Sequence, residues 1–426
     1  MIKKISALAS SSAVAAAIDL ASSMILSRAL LPEGIGQVAL IVSLGAIYAA
    51  FSNFGIGQAY IYLLNSKGYA IDKVLKNCLG VTLVCCITGF LVSCIILTKF
   101  TDYFGEYSDT LLVVISLGIA SSLGQTFIRP LLIAQFKIKQ VSLFTIGLSF
   151  ITFIIIAIVF LLDQSLLTVD VALSIQTLSK VVIFLLMLAY LVHDIPEGVG
   201  ISFSYFKESL SEGKKFYFSF LMTQILLQGS VFGLQFYELG FSEVGLYSRA
   251  MSLTLLMTII PYSIGPLLYS RWSGLETSLA AKELVACMSI YLLGLSFICP
   301  IVIFLSKDLL QFVYGRAFVA AADLFSILVL GIAFKILSDP LINYLASRGK
   351  VQINGYLSLI GAFSMLSIIY WFTPSMGAKG IAVSVVVSSI VIFIGLLLVV
   401  IKYLFKESSP SKIFRIDFIG FIRSLK

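Results

Sequence analysis

Residues 141–162 read VSLFTIGLSFITFIIIAIVFLL, without a single charge. A helix rises 1.5 Å per residue, so the stretch spans about 33 Å, the thickness of a bilayer's hydrocarbon core. Leu284–Leu305 and Ile381–Ile401 are of the same kind. Working outward from them, apolar runs of crossing length recur at 5–29, 37–64, 75–98, 110–135, 168–192, 215–237, 244–270, 319–346 and 352–373. With 141–162, 284–306 and 379–402 these make about twelve spans. The run 110–135 fits least well, because it carries Arg129 and Pro130. The whole chain agrees: 59% of its 426 residues are hydrophobic, 12% are charged, and the mean hydropathy is +1.06. The fold class is therefore an all-α membrane protein, and a soluble protein of this size is excluded. The start, Met1-Ile2-Lys3-Lys4 and an Ala/Ser-rich run, imitates a secretory signal. Its apolar run continues to Leu30, so it is expected to stay as the first span.

The net charge of +8 does not point to nucleic acid. Twenty of the 29 basic residues fall in, or border on, alternate inter-span segments: 1–4, 65–74, 136–140, 193–214, 271–283, 347–351 and 403–426. The opposite segments hold only Lys99, Lys307, Arg316 and Lys379, beside nine carboxylates. By the positive-inside rule both termini are expected in the cytoplasm. The longest internal loop, 193–214, carries Pro196, Gly198 and Gly200 and divides the chain. The expected organisation is an N-terminal six-helix bundle (1–192), a cytoplasmic linker (193–214), a C-terminal six-helix bundle (215–402) and a basic cytoplasmic tail (403–426).

The halves look like copies. Leu30-Leu31-Pro32-Glu33-Gly34-Ile35-Gly36 and Leu239-Gly240-Phe241-Ser242-Glu243-Val244-Gly245 form corresponding turns. Leu117-Gly118-Ile119-Ala120 matches Leu330-Gly331-Ile332-Ala333, a register that pairs Lys137 with Lys350. A register shorter by three pairs Pro130 with Pro340 instead. An even number of spans per copy inserts both the same way up. Such proteins place a site between bundles and alternate its exposure.

Leu26-Ser27-Arg28-Ala29-Leu30-Leu31-Pro32-Glu33-Gly34-Ile35-Gly36-Gln37-Val38-Ala39, followed by Asn53-Phe54-Gly55-Ile56-Gly57, resembles the opening of bacterial polysaccharide flippases. These are the O-antigen and capsule-repeat transporters of the multidrug/oligosaccharidyl-lipid/polysaccharide exporter superfamily. Tyr314-Gly315-Arg316-Ala317-Phe318 before Ala320-Ala321-Ala322 is similar to that family's approach to span ten. The resemblance implies an inner-membrane protein that moves an undecaprenyl-pyrophosphate-linked oligosaccharide to the outer leaflet, as in lipopolysaccharide or capsule assembly. Its partners would be that lipid-linked sugar, membrane lipids and other polysaccharide assembly proteins. Two bundles in a V would enclose a cationic cavity, with the prenyl tail left in lipid.

Charge inside hydrocarbon is costly and must face protein, water or a partner. The basic intramembrane residues are Arg28, Arg129, Lys180, Arg249 and Lys335; the acidic ones are Asp19 and Asp339. A positive excess suits a pyrophosphate and not a cationic drug. Lys180, one turn after Gln176, is a substrate-binding candidate or the partner of a neighbouring carboxylate. In flippase-like families the first and the seventh or eighth spans line the cavity, so Arg28 and Arg249 are head-group candidates; snorkelling explains them equally. Arg129 could meet pyrophosphate on arrival, or snorkel beside Pro130. Lys335 and Asp339, four apart, form an ion pair or serve in gating or cation coupling. Asp19 is a coupling carboxylate or Lys180's partner. Gln176, Gln224, Gln228 and Gln235 offer amides to sugar hydroxyls, or hold helices together.

The six cysteines lie within or at the ends of spans three and nine without metal-ligand spacing, and read as small core residues. No nucleophile motif, phosphate loop or HExxH pattern occurs, so no enzyme activity, metal or cofactor is expected. A two-bundle multidrug or small-solute antiporter is the first rival. Against a major-facilitator transporter, 65–74 lacks the Asp-Arg-x-Gly-Arg-Arg pattern. A membrane glycan polymerase or glycosyltransferase is the second rival, although no outer loop here is large enough for a catalytic domain.

Overall fold

The structure, a computed structural model, describes residues 2–65, 71–135, 137–193 and 203–407. The centres of the 65–74 and 193–214 loops, with Lys67 and Pro196, lie outside the described residues, as does nearly all of the basic tail. What is described is helical. In chain order the helices are α1 (Ile2–Asn53), α2 (Ile56–Asn65), α3 (Ile71–Lys99), α4 (Thr101–Phe104), α5 (Asp109–Ala134), α6 (Ile138–Leu162), α7 (Val169–His193) and α8 (Phe203–Phe236). They continue as α9 (Phe241–Leu255), α10 (Ile259–Ser273), α11 (Thr277–Phe304), α12 (Ser306–Tyr314), α13 (Ala322–Ser347), α14 (Gln352–Met376) and α15 (Ala378–Glu407).

Eleven described segments are long and apolar enough to cross a membrane. The first, Ser10–Asn53, is 44 residues long, about twice what a bilayer needs. It is broken at Leu31, whose φ of 56° and ψ of 179° are not helical, just before Pro32. Counted as two crossings, it gives the expected twelve. Elsewhere the span limits shift. The expected second span, 37–64, is interrupted where Phe54 and Gly55 take φ of 48° and 70°. The expected eighth span, 244–270, passes through a 3-10 turn at Leu256–Thr258. Residues 203–214, read as linker, already belong to α8. Hydropathy is blind to the first two, because neither changes the apolar content of the window, and it bounds the seventh span at Tyr217 because the helical start of α8 is polar.

The chain packs into two units, Lys3–Ser248 and Arg249 onward. This boundary lies beyond the 193–214 loop. The duplication itself is plain inside each unit. In the first, α5 packs on α2, α3 and α7; in the second, α13 packs on α10, α11 and α15. The pairs α6–α7 and α14–α15 also correspond. Lys137 lies 4.9 Å from the Tyr190 ring and Lys350 lies 3.7 Å from the Tyr403 ring. These are matched positions in the longer of the two registers, so that register holds at this end of the copies. The short helices α4 and α12 each end on a glycine with positive φ, 102° at Gly105 and 98° at Gly315.

Each unit has its own apolar core. One is built on Tyr60, Phe127, Leu131 and Leu191; the other on Trp272, Leu284, Tyr344 and Leu396. The second core is closed by a polar cluster absent from the sequence reading. Glu283 accepts from Arg271 Nε at 2.8 Å and Nη2 at 2.6 Å, and from the indole of Trp272 at 3.1 Å. Arg348 donates to the carbonyls of Trp272 and Leu275, at 2.8 and 3.1 Å, where α10 ends. Side chains from α10, α11 and the end of α13 are thereby tied together. Glu283→Ala leaves a buried indole N–H and a half-buried guanidinium without their acceptor, a loss of about 2 kcal/mol. A lower unfolding temperature in detergent is the expected result, with Glu283→Gln in between; an unchanged midpoint for Glu283→Ala would deny the cluster its structural role.

Candidate functional site

The first unit holds a cavity of about 300 Å³. Four helices wall it: α1 from Ile41 to Ala49, α5 from Ile115 to Thr126, α7 from Leu173 to Lys180, and α8 at Phe220 and Gln224. Its floor is apolar, and its polar groups are few and convergent, as is usual of ligand sites. Lys180 and Gln176, one turn apart on α7, share it with Gln224 from α8. Candidates from two helices distant in sequence are thus brought to one cavity.

Lys180 is half-buried and has no ion-pair partner among the described residues. Asp19, one expected partner, is exposed on α1 and makes no ion pair with it. An ammonium at mid-span without a counter-ion is expensive, so its environment must supply polar contact. The cavity it borders also carries the hydroxyls of Ser122, Thr126 and Thr177. Ser122 and Thr126 donate to Gly118 O and Leu123 O at 2.8 and 2.7 Å. Their own lone pairs stay available to a visiting hydroxyl. Gln125 Nε2 donates to the Lys180 carbonyl at 3.1 Å, tying α5 to α7 behind the lysine. These hydroxyls were missed in the sequence, where Ser and Thr on a helix usually satisfy only their own backbone.

The remaining candidates lie elsewhere. Gln228 Oε1 accepts from Ser43 at 2.9 Å, so it joins α8 to α1. Gln235 is 8% exposed, and its Oε1 has no hydrogen-bond partner among the described residues. Arg28 and Arg129 are both exposed, one just before the break in α1 and the other beside Pro130 of α5. Neither is among the described residues of the cavity wall. In the second unit, Arg249 stacks on Tyr314 with its guanidinium 5.5 Å from the ring centre. Its Nε is buried without a hydrogen bond among the described residues. Lys335 and Asp339 do not form the ion pair that their spacing permits; Asp339 accepts from Asn343 Nδ2 at 3.1 Å. Asp339 and Asn343 both lie against Gly265 of α10.

The cavity wall makes a direct prediction. In a background lacking the six free cysteines, Cys placed at Gln176 or Gln224 should react readily with a small methanethiosulfonate reagent. Cys at buried Gln235 should react at least about tenfold more slowly. Equal rates at the three positions would contradict the described wall.

Comparison with known proteins agrees with this architecture. An inward-facing multidrug resistance MATE transporter of the MOP superfamily superposes with a TM-score of 0.71 at 14% identity, covering 92% of this chain and 96% of that one. The lipid II flippase MurJ, in an inward closed conformation, gives 0.70 at 12% identity, over 98% and 91%. A MOP superfamily transporter from Pyrococcus furiosus, described as having a binding pocket of reverse polarity, gives 0.68 at 13% identity, over 95% and 97%. At these identities the likeness is one of fold. No curated protein matches the sequence. A family profile described as "Polysaccharide biosynthesis protein" matches residues 1–268. The chain, built on the fold of the MOP superfamily transporters, belongs to the polysaccharide biosynthesis protein family.

Proposed function

We propose that this protein is a flippase for a lipid-linked oligosaccharide. Its substrate would be an undecaprenyl-pyrophosphate-linked repeat unit of an O-antigen or capsule. The observation that carries the reading is Lys180, a cation without an ion-pair partner among the described residues, lining a mid-span cavity together with amides and hydroxyls. A pyrophosphate leaving water needs charge-assisted donors, and sugar hydroxyls need neutral ones. Gln176 and Gln224 supply the second kind, and Ser122 and Thr126 offer acceptors to the same hydroxyls. A cationic drug would meet repulsion at Lys180, which disfavours the multidrug reading. The MurJ likeness supports a lipid-linked sugar as the passenger class.

The remaining assignments belong to the same proposal. The protein sits in the inner membrane with both termini in the cytoplasm, and its two six-span copies are divided near 193–214. Arg249 is a second anion contact, because its buried Nε lacks a partner. Arg28 and Arg129 are contacts for the head group at the ends of its path, and Gln228 and Gln235 extend the amide stripe. Asp19, Lys335 and Asp339 serve coupling or gating, and other assembly proteins hand over the substrate. Neither catalysis nor a cofactor takes part.

Complementation of a flippase-deficient host, with surface glycan as the readout, tests the reading. A charged hydrogen bond contributes about 1.5–3 kcal/mol, so Lys180→Ala should cut export about 10- to 100-fold at equal membrane abundance. Lys180→Arg should retain much of it, and Arg249→Ala should compound the loss. Wild-type export by the Lys180→Ala, Arg249→Ala double variant would sink the proposal.

A further inference from the structure

Two places in the first unit bring backbones into contact with no side chain between them, and both involve the helix that walls the cavity. At one end of the second crossing, a Cβ on Gly36 would collide with the carbonyl of Phe241, and one on Gly245 would collide with that of Pro32. At the other end, a Cβ on Gly55 would collide with the carbonyl of Gly213, and one on Gly213 would lie 3.0 Å from the Gly55 carbonyl carbon. The cavity's share of α1, Ile41 to Ala49, lies between Gly36 and Gly55. Each crossing is therefore within about two helical turns of it.

We propose that these two crossings, Gly36 with Gly245 and Gly55 with Gly213, are the outer and inner gates of the cavity. This rests on the transport reading above. A gate must close tightly and part cheaply. Glycines let the helix backbones touch, which leaves no gap for solutes, and the contact is dispersion with weak Cα–H···O attraction. No ion pair joins either crossing among the described residues. At the inner one Phe54 stacks on Tyr217 at 5.6 Å, and Tyr217 donates a hydrogen bond to Phe51 O at 3.2 Å. At about 300 Å³ the cavity lies at the small end of ligand sites. A pyrophosphate with several sugars needs more room, so one crossing must part for each passage. The breaks beside the glycines, Leu31 on one side and Phe54–Gly55 on the other, supply hinges.

The test reads access and does not require the substrate. In the cysteine-free background a reporter Cys replaces Ala46, on the cavity wall. A membrane-impermeant methanethiosulfonate reagent is applied to right-side-out and to inverted vesicles. Gly36→Ala and Gly245→Ala should wedge the outer crossing and raise labelling from outside about tenfold, while Gly55→Ala and Gly213→Ala should do so from inside. Labelling unchanged in all four variants, or raised on the same side by all four, overturns the proposal. Should the alanine variants fail to elute as folded monodisperse protein, Phe54→Cys with Tyr217→Cys replaces them. Its disulfide should abolish labelling from inside and spare labelling from outside, reversibly with reductant; inside labelling that survives the disulfide overturns the inner gate. If access shifts as expected while export of lipid-linked sugar is undetectable, the gates stand and the substrate reading falls.

Discussion

Hydrocarbon offers a polypeptide no hydrogen bonds, and an unsatisfied backbone group there costs several kcal/mol. That constraint makes the chain helical wherever it crosses, and it dictates how departures from helix are covered. Among the described residues, the three places where a residue other than glycine takes positive φ are Leu31, Phe54 and Glu238. The first two lie beside the contacts of Gly245 with Pro32 and of Gly213 with Phe54. Strain that costs about 1–3 kcal/mol in isolation is thus held by packing from another helix. The same constraint governs charge. Glu283 is acceptable in its core because three N–H groups point at it, and Lys180 because it borders a cavity with amides and hydroxyls.

Without a hydrophobic force between helices in lipid, association depends on close fit. This accounts for small residues at the points where helices touch. Gly118 lies against Thr177 beside the cavity, and Gly331, its counterpart, lies against Val386. The same substitution of size for affinity gives one helix both tight contacts and a neighbouring space. The second crossing touches backbone at Gly36 and Gly55, and opens between them along Gly45 and Ala46 to make room for polar groups from α7 and α8.

Much of this was readable before any coordinates. A charge-free stretch such as 141–162 fixes its own state, because only one secondary structure survives in lipid. The turn at Leu30–Gly36 and its copy at Leu239–Gly245 identified the duplication from a handful of residues. Lys180 and Gln176 could be placed on one face from their spacing alone. What could not be read depends on which helices become neighbours. Gln228 looked identical to Gln224 in the sequence, yet one joins Ser43 and the other lines the cavity. Glu283 seemed to be a loop residue because its partners Arg271 and Trp272 lie across a turn, at the far end of another helix. Lys335 and Asp339 had ideal spacing for a pair, but the packing of α10 turns Asp339 toward Asn343. Hydropathy averages over a window and so concealed the breaks at Phe54 and at Leu256.

The meeting of Gly36 with Phe241 and of Gly245 with Pro32 has a symmetry that its role in closure does not require. Each copy of the turn offers its glycine to the position in the other copy that corresponds to the one it receives from. Such reciprocity is the mark of an isologous interface. A single copy carrying this surface would pair with a second one in the same way. The two turns differ in backbone: one bends through Leu31 at φ 56° and the other through Gly240 at φ 86°. The contact between them has the geometry of a symmetric dimer held within one chain.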